Sequence, residues 1–301
     1  MYLKHFGLTQ LPFNLTPDTQ FFCDLPTHRE ALNVLLIALQ GGEGFIKITG
    51  PVGTGKTLLC RKLLNELPAP FVTAYIPNPD MDTTALHQSI ADEFNLRYAR
   101  SNDQSRILVK INKYLLQASQ QGQKVVLIID EAQAMPLKTL ESLRLLTNLE
   151  TEKQKLLQIV LFAQPELDKI LQQKSIRQLR QRISFSYQLQ ALNKQQIQEY
   201  LLHRLYIAGN THTDLLGIFS ATALQFYTKG IPRLINILAH KALLAAYGKG
   251  HSSIGWQHIH LAAVDTEDTR RHLNIWLFRK VLPWLVVASA VFIYFLPRLP
   301  L

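Results

Sequence analysis

The stretch GFIKITGPVGTGKTLLCRKLLNEL, at residues 44–67, decides the fold of this chain. Its first part, GFIKITG, is a short apolar run typical of a buried strand, and LLCRKLLNEL has the spacing of a helix. Between them, GPVGTGKT at residues 50–57 fits the pattern GxxxxGK[ST] of a phosphate-binding loop, the Walker A motif. Strand, glycine-rich loop and helix follow in the order that this motif requires, so we predict a nucleotide site at the end of the strand.

Each residue type in this loop has a chemical reason to bind phosphate. Glycines let successive backbone N–H groups approach a phosphate, and the start of the following helix favours negative charge. Lys56 can reach the β- and γ-phosphates, and the Thr57 hydroxyl is a ligand for Mg²⁺. The alternative, an ordinary glycine-rich turn, is disfavoured by the flanking strand and helix. The predicted nucleotide contacts are Gly50, Pro51, Val52, Gly53, Thr54, Gly55, Lys56 and Thr57.

A second motif lies farther along the chain, where the apolar run VVLIIDE at residues 125–131 ends in two adjacent carboxylates. A continuous apolar run is typical of a central parallel strand. Neighbouring side chains at the tip of a strand face opposite sides, so one carboxylate can hold a metal while the other meets water. We predict that Asp130 holds Mg²⁺ and that Glu131 polarises the attacking water. A solvated acidic turn is the alternative.

Strands alternate with helices through residues 1–191. The further strand segments are FVTAYI, QIVLFAQ and ISFSYQL, and helical stretches separate them. This alternation predicts a nucleotide-binding core domain at residues 1–191, with an α/β fold and a doubly wound parallel sheet of about five strands. In the helical segment at 26–42, Thr27 and Glu30 have the spacing of a capping box.

The strand signals stop after Leu192. Four helical segments follow, and each ends in glycine or a polar break. We therefore predict a small helical domain at residues 192–265.

Two groups of polar residues after the second motif are candidates for the γ-phosphate. Gln164 ends the strand QIVLFAQ, where its amide can bind the γ-phosphate or the attacking water, or only solvent. Arg177, Arg180 and Arg182 lie just before the last strand. An arginine there can reach the γ-phosphate of a neighbouring subunit and stabilise transition-state charge. A basic helix end is the alternative.

The segment GIPRLIN places Arg233 in the first turn of a helix that begins at Pro232. A cation at that end opposes the helix dipole, so an offsetting anion is expected. A bound phosphate would make Arg233 a nucleotide-sensing residue, and a local carboxylate is the alternative.

The end of the chain predicts a membrane anchor. No charged residue occurs between Val281 and Leu296, and Arg279 and Lys280 come just before. We predict a basic juxtamembrane segment at 266–280 and a transmembrane helix at 281–297, with the short C-terminus outside. The first thirty residues carry no apolar stretch of signal length, so the N-terminus is expected in the cytosol. A helix buried in a partner or lying on the membrane surface is the alternative.

The amino-acid composition further limits the class of protein to which this chain can belong. An apolar content of 47% with 18% charged residues excludes a disordered chain. Two cysteines are too few for a disulfide framework, and neither has zinc-ligand spacing. The net charge of +10 suits a phosphate-handling surface or an anionic membrane face, and alone decides neither.

Together these residues resemble the AAA+ ATPases. The segments MYLKHFGLTQLPFNLTPDTQFF, GPVGTGKT, LIIDEAQ, AQPEL, LRQRI and GIPRLIN resemble the GspA/ExeA branch of general secretion ATPases, and within it the proteins of mannose-sensitive haemagglutinin pilus biogenesis. The resemblance covers about residues 1–270. One departure is Gln164, which stands where AAA+ proteins more usually carry Asn or Thr.

The resemblance implies a P-loop NTPase with a RecA-like αβα sandwich, a helical lid, bound ATP and Mg²⁺, and self-association as a ring. It implies that Lys56 and Thr57 contact phosphate and metal, that Asp130 and Glu131 form the Walker B pair, and that Gln164 is sensor 1. It further implies that Arg182 or Arg180 is the finger and that Arg233 is sensor 2.

The leading hypothesis is an ATPase anchored in the inner membrane that supports assembly of a type IV pilus or a type II secretion complex. Its partners are then envelope components, and nucleic acid is not expected. One alternative is a DNA-associated AAA+ ATPase, and another is a nucleotide-gated scaffold with little turnover. DNA dependence and the effect of Glu131→Gln separate the three.

Overall fold

The computed structural model describes residues 2–98, 104–147, 149–150, 155–210, 213–217 and 219–270. The chain divides into two compact units. The core unit is Thr16–Ala191, and the helical unit combines the described residues up to Leu15 with the described residues from Leu192 to Arg270.

The helices, in chain order, are α1 (Tyr2–His5), α2 (Pro26–Gln40), α3 (Lys56–Glu66), α4 (Thr83–Glu93), α5 (Gln104–Gln120), α6 (Leu137–Thr147), α7 (Glu166–Leu171), α8 (Arg177–Arg180), α9 (Lys194–Ile207), α10 (Ser220–Thr228), α11 (Pro232–Gly248) and α12 (Trp256–Val264). The strands are β1 (Phe45–Thr49), β2 (Phe71–Ile76), β3 (Lys124–Ile129), β4 (Leu157–Ala163) and β5 (Phe185–Gln188).

The five strands form one parallel sheet in the order β2-β3-β4-β1-β5, which confirms the predicted α/β fold. Thr49 pairs with Ala163, and Ile129 pairs with Leu161. The carboxyl ends of β1, β3 and β4 therefore lie side by side. This register is what brings the residues that follow these strands together at one edge.

Alternate strand residues face opposite sides of the sheet, as the pleat requires. One side packs on α2 and α3, and the other side packs on α4, α5, α6 and α7. The result is the αβα sandwich that the resemblance implies. The strand residues on the α2–α3 side are Ile46, Ile48, Val126, Ile128, Val160 and Phe162. Those on the other side include Phe45, Leu127, Ile129, Leu157, Ile159 and Leu161.

The predicted capping box at Thr27 is wrong. Helix α2 begins at Pro26, with Leu25 as its N-cap and no side-chain cap hydrogen bond. Proline suits the first helical position because its missing N–H has no intrahelical partner there. The helix thus starts two residues earlier than a Thr27 cap implies, and Thr27 lies inside its first turn.

The helical unit contains α9 to α12, at the four segments that the sequence indicates. Helix α9 begins with a capping box between Asn193 and Gln196. The unit also holds the first fifteen residues of the chain, which were predicted to belong to the core domain. Several hydrogen bonds join these residues to the helical unit: buried Arg204 donates to the carbonyl oxygens of Pro12 and Asn14, and Asn210 donates to that of Phe6. Periodicity gives no sign of such a contact.

The predicted membrane anchor, residues 281–297, lies outside the described residues, as does the juxtamembrane segment from residue 271 onward. Within the described part of the chain, none of the helices has both the length and the apolar character needed to cross a membrane.

Candidate functional site

The phosphate-binding loop, Gly50–Thr57, connects β1 to α3, and its glycines have steric reasons to be there. Gly53 and Gly55 have φ angles of 80° and 95°, a backbone conformation that residues with a side chain rarely adopt. At Gly50, a Cβ atom would lie 2.9 Å from Thr54 Oγ1 and 3.0 Å from Leu189 Cβ. The loop therefore needs glycine at each of these positions.

Lys56 is the first residue of α3, and its ammonium group turns back into the loop. The Nζ atom donates to the carbonyl oxygens of Gly50, at 2.8 Å, and Pro51, at 3.0 Å. Burial lowers the pKa of Lys56, and the nearby carboxylates of Glu131 and Asp130 act in the opposite direction. A buried cation within a loop of backbone donors suits the anionic oxygens of a phosphate.

Thr57 and Asp130 meet at the edge of the sheet. Thr57 Oγ1 donates to Asp130 Oδ2 at 2.7 Å, and the backbone N–H of Glu131 donates to Asp130 Oδ1 at 2.9 Å. Asp130 is only 2% exposed, and this burial raises its pKa, while both hydrogen bonds act to lower it. The structure thus places the two predicted metal residues within hydrogen-bond distance of each other.

This pair fits Mg²⁺ by its chemistry. Mg²⁺ takes oxygen ligands, usually one or two carboxylates together with phosphate oxygens and waters. Thr57 and Asp130 supply one hydroxyl and one carboxylate. Among the described residues there is no group of three or more His, Cys, Asp or Glu side chains arranged to hold a metal by themselves. A metal here would therefore share its coordination with a bound phosphate.

Glu131 has a left-handed backbone, with φ at 51°, and its carboxylate is held by two side-chain amides. Oε2 accepts hydrogen bonds from Gln164 Nε2, at 3.0 Å, and from Gln133 Nε2. The backbone N–H of Gln164 donates to Gln133 Oε1 at 2.8 Å. Gln133 and Gln164, which we call the amide pair, thereby fix the position of the predicted base.

Sequence reasoning missed two residues of this region. Gln133 lies two residues after Glu131, in the segment LIIDEAQ, and an amide so close to a candidate base is a signal that could have found it. His28 lies on α2 and contacts the phosphate-binding loop through Thr54 O, at 2.9 Å. Its spacing from the motif carries no signal, because only the packing of α2 on α3 brings it there.

The predicted arginines do not join this network. Arg182 Nη1 donates to Thr147 O and Thr147 Oγ1, both at 3.3 Å, at the end of α6. Arg180 is exposed and makes no side-chain hydrogen bond or ion pair within the described residues. Arg233 is an exposed residue of the helical unit, and the first turn of α11 contains no acidic residue. The core unit thus brings together Lys56 and the residues around β3 and β4, without the arginines.

Comparison with known proteins agrees with this geometry. A family model described as an AAA domain matches residues 39–171, which span the loop, both acids and Gln164. General secretion pathway protein A of Aeromonas hydrophila is 41% identical over 273 residues. The match covers 90% of this chain and 49% of that protein, so the chain spans about half the length of this relative.

Solved structures share the fold at low identity. Cdc6p from Pyrobaculum aerophilum has a TM-score of 0.64 at 20% identity, over 84% of this chain and 70% of that one. The ORC2 protein of Aeropyrum pernix has a TM-score of 0.61 at 16% identity, over 87% and 73%. RuvB of Thermotoga maritima has a TM-score of 0.55 at 15% identity, over 83% and 74%. The chain therefore has the fold of the P-loop NTPases, contains a segment that matches an AAA domain, and is similar to general secretion pathway protein A.

Proposed function

We propose that this protein is a Mg²⁺-dependent ATPase. The observation that carries the proposal is a set of hydrogen bonds in the core unit. Lys56 donates within the phosphate-binding loop, Thr57 donates to Asp130, and Gln164 donates to Glu131. Lys56 and the loop amides bind the β- and γ-phosphates. Thr57 and Asp130 would hold Mg²⁺, which would neutralise charge on the phosphate oxygens.

The residues around Glu131 suit hydrolysis by an in-line attack. Water attacks the γ-phosphorus, Glu131 takes a proton from that water, and the bond to the ADP oxygen breaks. The amide pair holds the carboxylate of Glu131 in one orientation, which limits the directions from which it can accept a proton. Gln164 has two roles in the proposal: it positions Glu131 through its hydrogen bond, and its amide binds the γ-phosphate or the attacking water.

The arginines have distinct roles in the proposal. Arg180, which is exposed and unpaired within the described residues, is the first candidate for a finger that reaches a neighbouring subunit in a ring. Arg182 is the weaker candidate because Thr147 already accepts its hydrogen bonds. Arg233 is the proposed nucleotide-sensing residue, a role that the resemblance implies.

In the cell, we propose a role in assembling a type IV pilus of the mannose-sensitive haemagglutinin type or a type II secretion complex. The name of the Aeromonas relative supports a secretion role, and the predicted apolar segment at 281–297 supports anchoring in the inner membrane with the ATPase in the cytoplasm. Membrane fractionation tests the anchor, because a full-length protein that remains in the soluble fraction contradicts it.

Two other functions have some support. The net charge of +10 favours a DNA-associated ATPase, whose activity would rise with DNA and fall steeply with salt. Both hydrogen bonds that orient Glu131 also occupy one oxygen, Oε2, and an occupied oxygen is less available to take a proton from water, as in a nucleotide-gated scaffold with little turnover. In that case Glu131→Gln would preserve the cellular function.

The deciding experiment measures phosphate release from Mg²⁺-ATP by the purified full chain in lipid, with and without DNA. We expect wild-type turnover without DNA, and a loss of about several hundred-fold in Glu131→Gln with ATP still bound. Glu66→Gln, an exposed acid at the end of α3, is the matched control and should hydrolyse ATP normally. Equal rates in both variants, or no turnover by the wild type, would contradict the proposal.

The cellular role needs a separate test in the source organism. Replacing the chromosomal copy by Glu131→Gln should reduce the number of surface pili or the amount of exported protein. If Glu131→Gln loses ATP hydrolysis in vitro as expected but leaves the phenotype unchanged, the nucleotide-gated scaffold is favoured.

A further inference from the structure

His28 connects α2 to the phosphate-binding loop by a buried hydrogen bond. Its Nε2 atom lies 2.9 Å from the carbonyl oxygen of Thr54, and its Nδ1 atom lies 3.4 Å from Thr27 Oγ1. The residue is 7% exposed, and the ring of Phe22 packs edge-on against it. Thr54 itself is fully buried. The imidazole is therefore held between α2 and the loop.

The acceptor decides which ring nitrogen carries the hydrogen. A carbonyl oxygen can only accept, so Nε2 must be the donor, and Nδ1 of the neutral ring is left to accept from the Thr27 hydroxyl. Burial lowers the pKa of His28, although the bond to Thr54 and the charge of Asp24 act in the opposite direction. The neutral ring with hydrogen on Nε2 is thus the form that fits this position.

This bond has a consequence for the next amide in the loop. In a planar trans peptide, the C=O of one residue and the N–H of the next point in opposite directions. Since the Thr54 carbonyl points to His28, the N–H of Gly55 points away from α2. That N–H makes no hydrogen bond within the described residues, and Gly55 provides no side-chain cap for α3.

Gly55 also leaves room for the histidine. A Cβ atom at Gly55 would lie 3.1 Å from His28 Nε2, which is tighter than ordinary contact. The loop glycine and the α2 histidine thus depend on each other, beyond the demand that the φ angle of Gly55 makes on its own.

We propose that His28 is a positioning residue, which holds the Thr54–Gly55 peptide so that the Gly55 amide faces the β-phosphate of a bound nucleotide. This inference rests on the proposed binding of nucleotide at the loop. The loop amides of this motif bind the α- and β-phosphates, which ATP and ADP share. The affinities for ATP and ADP should therefore depend on His28 to the same extent. AMP, which lacks a β-phosphate, should not depend on it.

The test measures equilibrium affinity of the full chain for ATP, ADP and AMP in His28→Ala, His28→Asn and His28→Gln. Glutamine can present an N–H near the position of Nε2, whereas asparagine is shorter. We expect His28→Ala and His28→Asn to weaken ATP and ADP about tenfold each, which corresponds to the loss of one hydrogen bond. His28→Gln should recover affinity to within about threefold of wild type.

A buried histidine elsewhere in the same unit supplies the control. His87 on α4 is 1% exposed, and His87→Asn should lower the melting temperature without changing nucleotide affinity. Wild-type binding of ATP tests the proposed function separately, since its failure would remove the nucleotide site itself. If the wild type binds ATP, the inference is overturned by equal affinity in His28→Ala, or by His28→Gln being no better than His28→Ala. It is also overturned if all three nucleotides weaken alike.

Discussion

The ends of β1, β3 and β4 differ from the arginine-bearing segments in how completely the site is formed. At the strand ends, Lys56, Thr57, Asp130 and Glu131 already have short hydrogen bonds that hold them. Arg180, in contrast, is exposed and unpaired within the described residues. The side chains at the strand ends are held by hydrogen bonds within the core unit, whereas the Arg180 guanidinium is available to a group outside that unit.

This difference separates the residues whose positions depend only on the sheet from those whose positions do not. Residues that directly follow parallel strands are brought together by strand register, so one chain suffices to place them. A cation on a short surface helix has no such constraint. If the account is right, changes at the strand ends should act within a single chain, and changes at the exposed arginine should depend on assembly.

The largest expected effect is at Arg180. If it acts on a neighbouring subunit, Arg180→Ala should lower kcat by about 10³-fold at protein concentrations that support assembly, with little change in the affinity for ATP. Phosphate release measured across a series of protein concentrations checks this. Arg177→Ala, an exposed arginine at the start of the same helix, is the control. Equal losses in both variants would mean that a basic surface, rather than one finger, matters.

The next effect is at Lys56, inside the formed region. Lys56→Ala removes the buried ammonium and should weaken ATP about 100-fold, since hydrogen bonds to charged groups are the strong ones. Calorimetric titration with ATP measures this affinity directly. Lys113→Ala, an exposed lysine on α5, should bind ATP as the wild type does. An unaltered affinity in Lys56→Ala would place the nucleotide elsewhere.

A smaller effect is expected at the amide pair. Gln164→Ala leaves Glu131 with one of its two amide donors, so kcat should fall about tenfold while ATP binding persists. Steady-state kinetics on this variant and on Gln172→Ala, an exposed glutamine just after α7, give the comparison. A double variant of Gln133 and Gln164 that loses no more than the product of the single losses would show that the two amides act independently.

The smallest effect is expected at Arg182. Its bonds to Thr147 tie the segment before β5 to the end of α6, so Arg182→Ala should cost about 1 kcal/mol of stability and change kcat less than threefold. Urea unfolding, followed by circular dichroism, measures the loss. A large fall in kcat at unchanged stability would transfer the finger role from Arg180 to Arg182.

The fold was largely readable from the sequence because hydrophobic runs and glycine punctuation mark each strand. The five strands and the four later helices form where the pattern places them. The errors arise where specific contacts outweigh the pattern. Pro26 moves the start of α2, and Arg204 binds Met1–Leu15 to the helical unit instead of the core.

The site was readable only where a motif stands directly at a strand end. Lys56, Asp130 and Gln164 satisfy that condition, and parallel register then brings them together. Gln133 and His28 do not lie at such a position. A turn after β3 places Gln133, and the packing of α2 on α3 places His28. Such residues are found from coordinates, since no fixed spacing links them to the motif.

The most direct test of the central claim is the dependence of ATP binding on Mg²⁺ in the wild type and in Asp130→Asn. The account predicts that Mg²⁺ tightens ATP binding to the wild type about tenfold or more, and that Asp130→Asn binds ATP equally with or without Mg²⁺. Wild-type protein that binds no ATP, or an Asp130→Asn variant that keeps the full response to Mg²⁺, would contradict the assignment of this sheet edge as the Mg²⁺-ATP site.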